Sequence, residues 1–239
     1  MTTPAPPRSW HTIAVTSQPI WTAPSLIDSL YMELRERILT GGMPGGTRLT
    51  EMDIAVRFSV SRPSAKAAVE RLVHDGLLAR STNKTARVPI LTVADVEDLY
   101  YARKLLEREM VREVATRGVV PTEARAALDR MRGLLANPGV IEWVEADLEF
   151  HNSLVEELGS PRLTRLYASL SGETHLTMAQ VKANGLIVSQ HIIEEHQAII
   201  NAIEAGDAAL AVTEVTNHLE HARRRLTSYL HTRPATPES

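Results

Sequence analysis

Residues 47–78, TRLTEMDIAVRFSVSRPSAKAAVERLVHDGLL, constrain the fold more than any other stretch, because they hold two short helical patterns joined by a tight polar turn. Thr50 is placed to cap the first helix and Asp53, three residues on, to reach back to it, a capping box that leaves Ile54, Ala55 and Phe58 facing inward. After the turn Phe58-Ser59-Val60-Ser61, Ser61 is the next N-cap and Pro63 falls in the first turn, where a missing N–H costs nothing. Ala65, Ala68, Val69 and Leu72 then recur at helical spacing, so the opposite face presents Arg62, Pro63, Ser64, Lys66 and Glu70. The pattern predicts a helix-turn-helix whose second helix carries a polar face able to read DNA.

The flanks extend it. Ser25 and Asp28 form another capping box, opening a helix with Leu26, Leu30, Leu34 and Ile38 on one side, and the Gly-Gly-Met-Pro-Gly-Gly run at 41–46 ends it. After Gly76, LLARST and ARVPIL read as two short strands around Asn83-Lys84-Thr85, a wing whose basic tip can touch a phosphate or the minor groove. The expected first domain, residues 25–91, is a winged helix-turn-helix with a small β-hairpin wing. Its expected DNA contacts are Arg35, Thr50, Arg57, Ser61, Arg62, Pro63, Ser64, Lys66 and Lys84.

The run LRERILTGGMPGGTRLTEMDIAVRFSVSRPSAKAAVERLVHDGLL resembles the N-terminal domain of the GntR superfamily of transcription regulators, without an obvious gap over residues 25–91. Family members commonly carry Arg-Thr-Pro-Val-Arg-Glu where this chain has Arg62-Pro63-Ser64-Ala65-Lys66-Ala67, and a Gly near the wing tip where it has Thr85. Only Arg62 carries over intact. Lys66 keeps the charge of the family's second arginine but loses its bidentate fork, which suits a phosphate better than a guanine edge.

Composition sets the outer limits. A chain of 239 residues accommodates two modest domains. It has no Cys, which excludes a disulfide framework, a thiolate metal site and a Cys nucleophile, and suits a reducing cytoplasm. No apolar run approaches bilayer length, and the N-terminus has neither a basic n-region nor an apolar h-region. The expectation is a cytoplasmic protein without a membrane partner, on the nucleoid when bound to DNA. The net charge of −3 divides unevenly, with ten basic against seven acidic residues in 25–91 and 15 against 22 after Leu91. That asymmetry assigns phosphate contact to the first domain, although charge alone cannot separate it from an ordinary solvated surface. Residues 1–24, broken by Pro4, Pro6, Pro7, Pro19 and Pro24, read as a flexible arm, and 232–239 as a disordered tail.

From Thr92 onward the chain reads as helices divided by punctuation. Thr92 and Asp95 open a long helix closed by Gly118 and Pro121; Thr122 caps a second, which stops near Asn137-Pro138-Gly139. A third spans 140–158, Gly159-Ser160-Pro161 punctuates, and a fourth continues toward Asn184-Gly185. Ser189 starts the fifth. Gly206-Asp207 divides it from a sixth reaching Leu230, with Arg223, Arg224 and Arg225 in last turns where cations favour the helix dipole. Six antiparallel helices with short loops, residues 92–231, make an all-α bundle, so the chain as a whole is mainly α.

One constellation stands out in the bundle: Asp147 and His151 at i and i+4, then His196, then His218. An i,i+4 carboxylate and imidazole share one helix face and can close on a single ion, and two further histidines would complete an oxygen–nitrogen site. By spacing alone the alternative stands, since histidines on amphipathic helices commonly sit at a boundary with one nitrogen bonded and no metal.

DLEFHNSLVEELGSPRL and EEHQAIINAIEAGDAALAVTEVTNHLEHARRRL resemble the FCD effector domain of the FadR subgroup of GntR regulators. The resemblance implies that Asp147, His151, His196 and His218 hold one divalent metal per chain, zinc, nickel or manganese. The helix DLYYARKLLEREMVREV resembles that domain's first helix, which implies that Arg103 faces an effector cavity. Its alternative is a surface pair with Glu107 one turn on. His175, His191 and His221 lie off the aligned metal positions and read as surface or cavity-rim residues.

No Gly-x-Ser-x-Gly or His-Glu-x-x-His motif occurs, and 41–46 lacks the spacing and the Lys-Ser/Thr of a P-loop. The sequence therefore points away from an enzyme. It favours a ligand-responsive regulator that binds a palindromic double-stranded DNA operator as a homodimer, as a repressor of this kind would, with affinity modulated by a small organic acid at the metal. The alternative is a metal-dependent enzyme acting on a small organic acid, with a nucleic-acid-binding appendage and a general base among Glu149, Glu156, Glu157, Glu194 and Glu195.

Overall fold

Five of the described helices begin where a Ser or Thr side chain takes up a free N–H group, and several end beside a residue with left-handed backbone, among them Ser59, Gly76, Gly118 and Gly206. The computed structural model describes residues 25–80, 85–136, 139–181 and 189–232. The arm at 1–24, Lys84 at the wing tip, the stops at Asn137-Pro138 and Asn184-Gly185, and the tail beyond Thr232 lie outside the described residues.

The first domain is α1 (Leu26–Leu39), β1 (Arg48–Leu49), α2 (Glu51–Phe58), α3 (Arg62–His74) and β2 (Ala86–Arg87). Ser25 and Asp28 complete a capping box on α1. Leu30, Leu34 and Ile38 go into the core, while Leu26, at the first helical position, stays 58% exposed. Thr50 does cap α2 through the Asp53 N–H, but Asp53 returns to the Thr50 hydroxyl at 2.6 Å and not to its backbone, so the box is half made. The helix pair turns at Ser59, whose φ of 53° is left-handed without a glycine. Ser61 then caps α3 through the Ser64 N–H, and Ala65, Ala68, Val69 and Leu72 are fully buried against α1 and α2.

The wing differs from the expected simple hairpin. β2 pairs antiparallel with β1, a strand preceding α2 that was not expected, and among the described residues the first arm of the wing meets β2 through a bridge between Ala79 and Arg87. A two-residue strand has no periodicity to read.

The second domain is α4 (Val93–Arg117), α5 (Thr122–Leu134), α6 (Val140–Glu156), α7 (Pro161–Val181), α8 (Gln190–Glu204) and α9 (Ala208–Thr232), six helices among the described residues as expected. α4 packs chiefly on α9, α5 on α6 and α8 on α9. Trp143, Phe150, Leu128, Met131, Leu154 and Ile199 fill the centre. Thr92 and Asp95 complete the box on α4. Thr122 is not a cap but the first residue of α5, after Pro121, and no side chain caps that end.

The domains meet on α7. Leu176 of α7 is buried in the core of the first domain, with Ala179 packed beside it, and Gln180 Nε2 donates to the Pro89 carbonyl at 2.9 Å. At Gly172 the α7 backbone runs against the Asp75 carbonyl so closely that a Cβ there would lie 2.8 Å from the Asp75 carbonyl carbon. A helix of the second domain is thus a wall of the first.

Candidate functional site

Asp147 and His151 sit one turn apart on α6 and face α8 and α9, which bring in His196 and His218. All four are buried, and one ligand atom from each lies within 4.8 Å of every other. His151 Nε2 is 3.2 Å from His218 Nε2, and His196 Nε2 is 3.4 Å from Asp147 Oδ1.

The outer nitrogens explain why the inner ones converge. His196 Nδ1 donates to the Ile192 carbonyl at 2.7 Å, and His218 Nδ1 is held by Glu195 Oε2 at 2.9 Å. His151 Nδ1 lies 2.7 Å from Glu107 Oε2, close but not aligned as a hydrogen bond. With each Nδ1 turned to an acceptor, each Nε2 presents a lone pair to the centre. Facing lone pairs repel, and His196 Nε2 is buried without a hydrogen-bond partner. Three imidazoles and one carboxylate in this state fit a divalent transition metal, which would satisfy the orphaned nitrogen and separate the facing pair.

Electrostatics prepare the same state. Burial, then the neighbouring His218, pushes the His196 imidazolium down to about 3, so the ring is neutral. Burial also lowers His218. Burial alone would raise the Asp147 carboxyl, but His196, His151, His218 and Arg103 outweigh it and hold the group below its usual range, ionised.

Arg103 is not on the surface. It is 1% exposed, and its Nε donates to Glu107 Oε1 at 2.7 Å, an oxygen that also accepts from the Tyr167 hydroxyl at 2.7 Å. Glu107 thus receives Arg103 and Tyr167 on one side and faces His151 on the other, while Arg103 Nη2 has no partner. The expected pairing with Glu107 exists, yet inside the bundle and beside His151 of the four-residue cluster. A small cavity of about 20 Å³ opens beside Asp147 and His218, and among the described residues Arg225, not Arg103, is the cation on its wall. Its volume is that of about one water.

Four participants escaped the sequence reading. Glu107 was taken only as the far end of a surface pair, Glu195 only as one of five carboxylates, Arg225 only as a helix-dipole cation, and the Ile192 carbonyl carries no side-chain signal. Of the off-pattern histidines, His175 is buried at the domain junction, whereas His191 and His221 lie at the surface side of Glu195.

On the first domain, Arg57, Ser61, Arg62, Pro63 and Lys66 are exposed and Thr50 and Ser64 are half-buried at the helix starts. Lys66 lies 3.6 Å from Glu70 in an exposed pair that costs little to open. Arg35, also among the expected DNA contacts, is engaged within the protein. Its side chain lies in the domain junction, with Nη1 3.3 Å from Glu145 of α6 and Nη2 3.1 Å from His175 Nδ1 of α7. Beside it an open cleft of about 620 Å³ separates the domains.

Residues 98–221 match the FCD domain, and residues 26–88 match the bacterial regulatory proteins of the gntR family. The chain is 26% identical over 214 residues to the HTH-type transcriptional regulator BphR of Paraburkholderia xenovorans, covering 84% of this chain and 85% of that one. It is 23% identical over 200 residues to the HTH-type transcriptional repressor RspR of Escherichia coli, covering 80% and 84%. Among solved structures, a GntR transcriptional regulator from Rhodococcus sp. RHA1 superposes with a TM-score of 0.73 at 25% identity, over 86% of this chain and 99% of that one.

Proposed function

The chain belongs to the GntR family of bacterial regulatory proteins, carries an FCD domain and is a transcriptional regulator, and on that premise we propose that it is a metal-dependent sensor of a small carboxylate. The observation that carries the reading is the convergence of three Nε2 lone pairs and the Asp147 carboxylate in a helical domain one of whose helices walls the DNA-binding domain.

In this reading residues 92–231 hold the metal and the effector, and residues 25–91 read an inverted repeat as one half of a homodimer. One recognition helix covers a half-site only, so specificity calls for two copies. Arg62 contacts a base edge, while Arg57, Lys66 and the Ser61 and Thr50 helix starts contact phosphates; Lys84 belongs with them by its place in the wing sequence. Arg35 serves the junction instead.

A bound divalent ion supplies open coordination positions for effector oxygens. The chain's own residues do the rest. Arg225 on the cavity wall takes the effector carboxylate in a charge-assisted pair, and the unpartnered Arg103 Nη2 is the second donor within the same cluster. Because the cavity has room for about one water, any larger acid must push apart α7 and α9, which supply Met178, Val181, Ala222 and Leu226 to its wall. α7 carries Leu176 into the first domain, and α6 carries both Asp147 and Glu145, the partner of Arg35. Effector entry is therefore felt at the domain junction, and a preference of a few kcal/mol for one spacing of the recognition helices moves the population.

The test is a panel of small organic acids measured by thermal shift and by operator binding on metal-loaded wild type, Arg225→Ala and Arg103→Ala. The expected result is one acid that stabilises the wild type and changes its DNA affinity, with both effects reduced in Arg225→Ala. Equal responses in all three proteins would refute the carboxylate assignment, and turnover of the acid would favour an enzyme instead.

A further inference from the structure

We propose that His191, Glu195 and His221 form a second, solvent-accessible site for a divalent transition metal, joined to the buried centre by the Glu195 carboxylate. His191 and Glu195 lie at i and i+4 on α8, and α9 brings His221 beside them. His221 Nδ1 is 2.6 Å from Glu195 Oε1, and His191 Nε2 is 3.0 Å from the same oxygen. One ligand atom of each residue lies within 4.8 Å of the other two. Ligands bonded to one ion at about 2.0–2.2 Å stand roughly 3–4 Å apart, so small side-chain rotations would close the set.

The set is built unevenly, and in a way that suits an ion. The Glu195 side chain is only 9% exposed and its Oε2 is fixed by His218 Nδ1, which aims Oε1 outward. The imidazoles that meet it are 61% and 43% exposed, so they turn freely and leave the remaining coordination positions to water. Two imidazoles and one carboxylate are a donor set that zinc, nickel and copper(II) accept. Exposure and fewer protein ligands make this site weaker than the buried one.

The shared carboxylate gives the second site a consequence, which rests on the buried centre binding metal. An ion on Oε1 draws charge from Oε2 and loosens its hold on His218 Nδ1. Complete loss of such an outer partner costs about 10–100-fold in metal affinity, so occupancy of the outer site weakens the inner one by no more than that factor.

The test is zinc titration of untagged, chelator-stripped, full-length protein against a competing chromophoric chelator. The expected wild-type result is two equivalents per chain, one tight and one weaker. His191→Ala with His221→Ala should keep the tight equivalent and lose the weaker, with an unchanged circular dichroism spectrum because both rings are at the surface. His151→Ala with His196→Ala should do the reverse, which separates this site from the reading of the buried centre. The same number of equivalents in the wild type and the His191, His221 variant would overturn the proposal, whereas the same number in the wild type and the His151, His196 variant would overturn the reading of the buried centre.

Discussion

Glu107→Leu is expected to destabilise the helical domain by about 3–5 kcal/mol, the cost of leaving one member of a buried ion pair without its partner. The magnitude follows from what this carboxylate holds. Glu107 is 1% exposed and accepts from Arg103 Nε at 2.7 Å and from the Tyr167 hydroxyl at 2.7 Å. Arg103, itself 1% exposed, already has one unsatisfied nitrogen, and Asp147, the other carboxylate acting on it, is committed to the three imidazoles. Glu107 is held well below the usual carboxylate range by Arg103 and His151 against a burial effect that would raise it, so the charged pair persists through ordinary pH. For a protein of this size about 2–4 °C of melting temperature accompanies each kcal/mol, so a fall of about 10 °C is expected. Arg103→Met combined with Glu107→Leu removes both charges and restores an unbranched apolar stem. It should recover at least half of the loss, about 2 kcal/mol, so the coupling in a double-mutant cycle is that recovery plus the cost of Arg103→Met alone. Urea unfolding of metal-stripped protein measures both. Zinc affinity supplies an independent readout, since His151 loses the carboxylate facing its Nδ1 in either variant and should bind metal about 10–100-fold more weakly. A Glu107→Leu protein within about 1 kcal/mol of wild type, or a double variant as unstable as the two singles added, would refute the reasoning.

Three further outcomes are expected. His196 is neutral when folded down to about 3 but takes a proton near 6.5 when unfolded, so its contribution is complete above pH 6.5 and is lost as pH falls from there toward 3. Metal-stripped protein should lose up to about 1.4 kcal/mol per pH unit in that window, and His196→Gln should flatten the slope in urea titrations at pH 7 to 4. Arg62→Ala should cost about 1–3 kcal/mol of operator affinity and blur one base, whereas Lys66→Ala should weaken all sequences alike and flatten the salt dependence; fluorescence anisotropy over a salt series tells them apart. Gly172→Ala places a Cβ 2.8 Å from the Asp75 carbonyl carbon, so α7 and the first domain must separate, and the link between metal loading and DNA affinity should weaken while metal binding itself is retained. Equal metal dependence of operator binding in this variant and wild type would place the transmission elsewhere.

Local chemistry made much of this legible in the sequence. The boxes at Ser25 and Thr92, the cap at Ser61 and the 3.6-residue spacing of Ala65, Ala68, Val69 and Leu72 are written within a few residues, and the structure repeats them. Asp147 and His151 were readable as one helix face for the same reason, His196 and His218 stood out as histidines that could join them, and the resemblance gave the four one role. What the chain alone did not disclose is who meets whom across long separations. Arg35 is held at the domain junction because α7 delivers His175, 140 residues later, and α6 delivers Glu145. Arg103 is buried because α7 lays Tyr167 over Glu107, 60 residues away. Glu195 becomes the outer partner of His218 because α8 and α9 pack in one register. Helix periodicity fixes which face of each helix is apolar and says nothing of its neighbour's rotation, so partners across helices are decided only when the core closes.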